Sequence, residues 1–237
     1  MSGELPLDVG GYVLAGGKSS RMGRDKALLE LAGKPLVQHA VVKLRRVCAD
    51  VHLLGNRNEL AKYGPLVPDV HEGRGPLGGI EAALEHSHHG WNLFMPVDMP
   101  FLPTAFLGWW MQTALAREKD GVRMAMLTVD GIPQPALCLL HRDVEPYVKQ
   151  AMEQGRYKVF RVFEEAEWGL PGRLFNLTWS VDGEFPAQSG GDEPWRKLTK
   201  EQEAARRWWF ANLNMPEEFR EAQVFVDALD TDRKSVV

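Results

Sequence analysis

Apolar runs of strand length alternate with stretches of helical spacing from residue 11 to residue 117. A strand can reach a parallel neighbour only through a long crossover, and a helix is the usual one. Residues 11–16 (GYVLAG), 51–55 (VHLLG) and 92–97 (NLFMPV) read as buried strands, with a shorter strand at 66–68. After Pro35, which suits a first turn, Leu36, Val37, Ala40, Val41, Leu44 and Val47 recur at helical spacing up to Cys48. A short helix near 58–63, a helix over 77–86 and a helix from Pro103 to Arg117 fill the remaining gaps. The expected fold is α/β: a Rossmann-like, mostly parallel sheet with helices on both faces.

Strands are expected at 122–129 and 135–140, a helix over Asp143–Glu153 and a shorter one around 157–165. From Glu164 the pattern weakens, although five of the eight tryptophans lie there: Trp168, Trp179, Trp195, Trp208 and Trp209. Residues 182–203 are polar and carry Pro186, Gly190, Gly191 and Pro194, so they read as a loop or arm. A strand at 207–213 (RWWFANL) and a helix from Pro216 should follow. The expectation is one domain over 8–225, with 165–206 as an inserted tryptophan-rich arm and 226–237 as a loose tail.

Net charge is −4, with 44% apolar and 25% charged residues. That balance is ordinary for a soluble globular chain and argues against a protein that coats nucleic acid. Cys48 and Cys138 lie in apolar stretches and read as buried thiols. Met1 to Gly10 lacks the basic and apolar regions of a secretory signal, and no apolar run approaches a membrane span. A cytoplasmic protein is the expectation, with neither membrane nor nucleic-acid partner. His86, His88 and His89 offer no further ligands to close a zinc site and read as solvent-facing.

The chemistry concentrates after the strands. Residues 14–26, LAGGKSSRMGRDK, place three glycines and four cations (Lys18, Arg21, Arg24, Lys26) directly behind the first strand. Glycine lets backbone N–H groups approach an anion and cations offset its charge, so the segment reads as a triphosphate cradle. Gly17-Lys18-Ser19 imitates the end of a P-loop, but five residues separate Gly11 from Gly17 where that motif needs four. Asp98, in PVDMPFLP (96–103), ends an apolar strand where ligands of open parallel sheets bind, and one carboxylate with substrate phosphates can hold Mg²⁺. Taken alone, it also suits a turn or a helix cap. GPLGG (75–79) places glycines at a helix start, good for an anion or base edge, and Asp69 could accept hydrogen bonds from a nucleoside. Asn214 followed by Glu217, with Pro216 in the first turn, has the form of a capping box.

LAGGKSSRMGRDKALLELAGKPL (14–36) resembles the signature of the molybdenum cofactor guanylyltransferase family, within the nucleotidyltransferases that share a Rossmann-like sheet. VPD (67–69), GPLGG (75–79), PVDMPFLP (96–103), QPALCLLHRDVEP (134–146) and NLNMPEEF (212–219) resemble further family segments in the same order. The resemblance implies an enzyme that joins GMP from GTP to the terminal phosphate of molybdopterin. It implies nucleotide contacts at Leu14, Ala15, Gly16, Gly17, Asn56, Asp69, Gly78 and Gly79, phosphate contacts at Lys26 and Arg21, and Mg²⁺ on Asp98. Asn214 would sit near metal and second substrate, and Gln134 and the run Arg156, Tyr157, Lys158 are the molybdopterin candidates. Cofactor-delivery or acceptor proteins are further implied partners. The alternatives are a cytidylyltransferase for the same cofactor and a non-catalytic nucleotide or cofactor binder. The stretch 165–206 is the departure from the family pattern.

Overall fold

The structure is a computed structural model that describes residues 6–16, 25–170, 173–182 and 198–230. Seven strands form one sheet: β1 (Leu7–Leu14), β4 (Cys48–Leu54), β5 (Leu66–Val67), β6 (Trp91–Pro96), β7 (Met124–Val129), β8 (Ile132–His141) and β9 (Leu174–Trp179). A two-residue hairpin, β2 (Glu30–Leu31) and β3 (Lys34–Pro35), stands apart. The sheet order is β5-β4-β1-β6-β8-β7-β9, and β8 alone of the seven runs against its neighbours. The Rossmann-like, mostly parallel expectation holds.

Side-chain alternation divides the core between two faces. Val9 and Val13 of β1, Leu93 and Met95 of β6, and Ala125 and Leu127 of β7 face one layer. It holds α1 (Leu36–Leu44), α3 (Thr104–Leu115) and the segment Trp208–Leu213. Tyr12, Phe94, Met124 and Met126 face the other, with α2 (Pro76–His86), α4 (Glu145–Glu153) and α5 (Val159–Gly169). Cys48 and Cys138 are buried thiols, as read. His86 and His88 are exposed, but His89 is drawn inward and bonds Asp8 (2.7 Å) and Asp50 (3.1 Å) across the starts of β1 and β4.

Three expectations need correction. The described parts of 165–206 are not an inserted arm or loop: α5 runs to Gly169, β9 is the sheet edge parallel to β7, and α6 (Lys200–Ala204) starts from a Thr199–Gln202 capping box. Trp195 lies outside the described residues. Residues 207–213 are not a strand but a 3₁₀ turn at Arg206–Trp208 and an irregular run. Trp208, Trp209, Phe210 and Leu213 are all buried, so no period of two survives. Nor is 226–230 loose, since Ala228, Leu229 and Asp230 are buried; residues 231–237 lie outside the described set.

Candidate active site

The chain leaves β1 through α1 to β4 and β5 on one side, then crosses to β6 on the other. This reversal of strand order opens a crevice at the carboxyl ends of β1, β4 and β6. The three strands end level, because Leu14 pairs with both Leu54 and Pro96. A cleft of about 540 Å³ lies there, lined by Leu14, Gly16, Leu54, Gly55, Asn56, Asp69, Glu72 and Gly79 among others. Gly55 takes φ +120°, a region that L side chains rarely adopt, and turns the chain after β4 toward Gly16. Gly79 lets α2 lie close on the strand ends, since a Cβ there would meet Leu54 Cδ1 at 3.3 Å and Leu14 Cδ2 at 3.4 Å.

The β4–β5 side of the cleft carries acceptors. Asn56 accepts the Asp69 amide on Oδ1 (2.8 Å) and donates from Nδ2 to Glu72 Oε1 (2.5 Å). Burial, with the neighbouring Glu72 charge, raises the Asp69 carboxyl above its ordinary value. The β6 side carries the cation. Lys26 opens a 3₁₀ turn, Lys26–Leu28, capped by Asp25 Oδ1 on the Ala27 amide (3.0 Å). Its Nζ donates to both Asp98 Oδ2 and Asn214 Oδ1. Three remote segments thus meet at one ammonium. Asn214 is carried there because the Leu213 amide donates to the Asp98 carbonyl (3.1 Å).

Asp98 is largely buried, and its Oδ1 has no hydrogen-bond partner among the described residues. A buried carboxylate oxygen left over beyond the end of a parallel strand fits a divalent cation. Among the described residues no group of three His, Cys, Asp or Glu side chains could hold a metal, so most of the shell would fall to phosphate and water.

Leu14, Ala15, Gly16, Lys26, Asn56, Asp69, Gly79, Asp98 and Asn214 gather around the strand ends. Gly17 and Arg21 lie outside the described residues. Gly78 does not line the cleft: it packs beneath the preceding loop, where a Cβ would meet the His71 carbonyl at 3.2 Å. Gln134 stands at the site edge of β8, in the irregular pairing between Met126–Cys138 and Thr128–Pro133, and its amide turns back to the Ile132 carbonyl (3.4 Å). Arg156 is engaged by Gln154 and Glu165, and the Tyr157 ring carries the Arg74 guanidinium at 4.7 Å. The helix after Asn214 (α7, Pro216–Ala222) is capped by Glu218, not Glu217: Glu218 Oε2 accepts the amides of Asn214 (2.5 Å) and Met215 (2.7 Å).

Sequence reasoning missed two residues. Arg57 donates to the Ala15 carbonyl and pairs with Asp25, so it grips both flanks of the basic loop. Glu72 faces the cleft from HEGRG (71–75). Charged residues between a strand and a glycine-led helix were the available signal for Glu72.

A switch-point cleft lined by acceptors, with a lysine–aspartate–asparagine cluster past the end of β6 at the same edge of the sheet, is an arrangement that suits a nucleotidyltransferase. The chain belongs to the MobA-like NTP transferase domain family, which residues 11–168 match. It is 34% identical over 167 residues to a molybdenum cofactor guanylyltransferase of Serratia proteamaculans, covering 67% of this chain and 81% of the relative. It is 34% identical over 183 residues to the enzyme of that name from Vibrio cholerae, covering 73% and 88%. Molybdopterin-guanine dinucleotide biosynthesis protein A of Archaeoglobus fulgidus has a similar fold, with TM-score 0.65, 22% identity and coverage of 92% and 99%. Among the described residues no helix is long and apolar enough to cross a membrane.

Proposed function

We propose that the protein transfers GMP from GTP to the terminal phosphate of molybdopterin, forming the guanine dinucleotide cofactor and releasing pyrophosphate. The observation that carries this reading is the convergence of Lys26, Asp98 and Asn214 where β1 and β6 end. The relatives' names supply the nucleotide and the acceptor.

The difficulty of the reaction is charge, because a phosphate oxygen must approach a phosphate. The attacking oxygen is already ionised at neutral pH, so no general base is needed and none is assigned. Lys26 offsets charge on the triphosphate and the departing pyrophosphate, and is aimed by Asp98 and Asn214. Asp98 would hold Mg²⁺, which when bound polarises phosphate oxygens and orients them for in-line displacement. Gly16, where a built Cβ meets nothing within 4 Å among the described residues, lets the nucleotide lie against backbone, so much of the rate comes from positioning.

Calorimetric titration with GTP, CTP and ATP in Mg²⁺, then a pyrophosphate-release assay with GTP and molybdopterin, tests the proposal. GTP should bind tightest, and release should require both substrates. Asp98→Ala should abolish turnover while the protein still folds, since the fold uses the Asp98 carbonyl in its bond from Leu213. Release at the parent rate in that variant, or a preference for CTP, would refute the assignment.

A further inference from the structure

We propose that Glu72 selects the base, its carboxylate accepting the N1–H and N2–H₂ donors of guanine. The inference rests on the GTP reading above and names the side chain that would enforce it.

The orientation of the nucleotide follows from charge. Lys26 and Asp98, the cation and the candidate metal carboxylate, lie on the β6 side. Asp69 and Glu72 lie on the β5 side, where two carboxylates would repel a triphosphate, and Arg57, which also lines that side, is already engaged by Asp25 and the Ala15 carbonyl. The phosphates therefore occupy the β6 end, and ribose and base extend past Leu14 toward Asn56 and Glu72.

Glu72 is held there. Asn56 donates to its Oε1 (2.5 Å) while fixing the Asp69 amide (2.8 Å), so one side chain sets both acidic positions. A carboxylate offers about four lone-pair sites over two oxygens, and this contact uses one. Among the described residues the wall beside it is open: a Cβ built on Gly73 (φ +76°) or Gly75 (φ +66°) meets nothing within 4 Å, which leaves room for a flat ring.

An ionised carboxylate is an acceptor only. Guanine presents two adjacent donors on its Watson–Crick edge, which a carboxylate can take together. Adenine and cytosine each set an amino donor beside a bare ring nitrogen, whose lone pair would face the carboxylate. Uracil places its single N–H between two carbonyl oxygens. Guanine is the base whose edge complements Glu72, and a site built to hydrogen-bond a donor rejects analogues that lack it.

The test compares equilibrium binding of GTP, inosine triphosphate, CTP and ATP to the parent protein, Glu72→Gln and Glu72→Ala, all with Mg²⁺. Inosine differs from guanosine only by the missing N2 amino group. The parent should bind GTP about tenfold or more tighter than inosine triphosphate, the scale of one charge-assisted hydrogen bond. Glu72→Ala should bring that ratio near one, with Glu72→Gln between, and unchanged melting curves would show that both variants fold. A parent that prefers GTP, with its GTP-to-inosine ratio intact in both variants, overturns the assignment of Glu72 alone. A parent that binds GTP no better than CTP and ATP overturns the guanine reading and this inference with it.

Discussion

Arg57 lines the cleft and ties its edge together. Its guanidinium donates to the Ala15 carbonyl, just before the basic loop, and pairs with Asp25, just after it. Asp25 also caps the turn that carries Lys26. Arg57→Met should therefore misplace Lys26 without emptying the core. Nucleotide KM should rise and kcat should fall, for a loss in kcat/KM of roughly ten- to a hundredfold, the scale of 1.5–3 kcal/mol for a charge-assisted bond. Arg57→Lys should rescue little, because a point charge cannot span both acceptors. Steady-state kinetics would show it, and full activity in both variants would end the clasp argument. The contrast with Lys26 and Asp98 shows what was legible. Asp98 is the first charge beyond an apolar strand, and Lys26 closes a glycine-rich run of four cations, so both stood out as candidates. Arg57 works through a backbone carbonyl remote in sequence, and no spacing rule reports that. Glu72 sits in a polar turn, HEGRG, whose composition is that of any exposed loop.

At the scale of elements, the first part of the sheet was readable because each strand is a compact apolar run and each helix keeps its period. β9 was not. Leu174–Trp179 is an edge strand with polar Asn176 and Thr178 pointing outward, so only Phe175, Leu177 and Trp179 mark its inner face. Residues 207–213 misled in the opposite sense. Bulky aromatics favour strands statistically, yet here consecutive rings fill one pocket between α3 and β9. Trp179 lies at the centre, stacked on Trp209 (5.7 Å between centroids) and edge-on to Phe106 (5.1 Å). Trp179→Ala should thus cost about 3–5 kcal/mol of stability. Trp168, 91% exposed in the same region, should change stability by less than ~0.5 kcal/mol when replaced by alanine. Urea unfolding of both variants would decide whether this region belongs to the core. Equal, small effects would restore the picture of an inserted arm.

Taken as a whole, the molecule is closed by the last of its described residues. Asp230 is buried beside Lys43 of α1 (2.7 Å), its other carboxylate oxygen accepts the Thr104 amide at the start of α3 (2.6 Å), and its carbonyl accepts from Arg46. One side chain therefore joins two helices on the same face of the sheet, and satisfies a helix N-terminal N–H that nothing within α3 can bond. Burial alone would raise the Asp230 carboxyl, but the Lys43 ammonium and the bonds from Thr104 outweigh it and hold the carboxyl below its ordinary value. The sign of the linkage follows. The unfolded chain binds the proton more readily, so this contribution is complete above the ordinary carboxyl pKa of about 3.9 and disappears as pH falls through the lower folded value. Asp230→Ala should cost about 3–5 kcal/mol near neutral pH, because Lys43 is left charged and buried without its partner. Lys43→Met combined with Asp230→Leu should recover part of that loss, since two apolar groups leave no stranded charge although the Thr104 amide loses its acceptor. Chemical unfolding as a function of pH separates the cases: the parent should lose stability in acid more steeply than the double variant. Parallel profiles for the two proteins would show that Asp230 is held by packing alone.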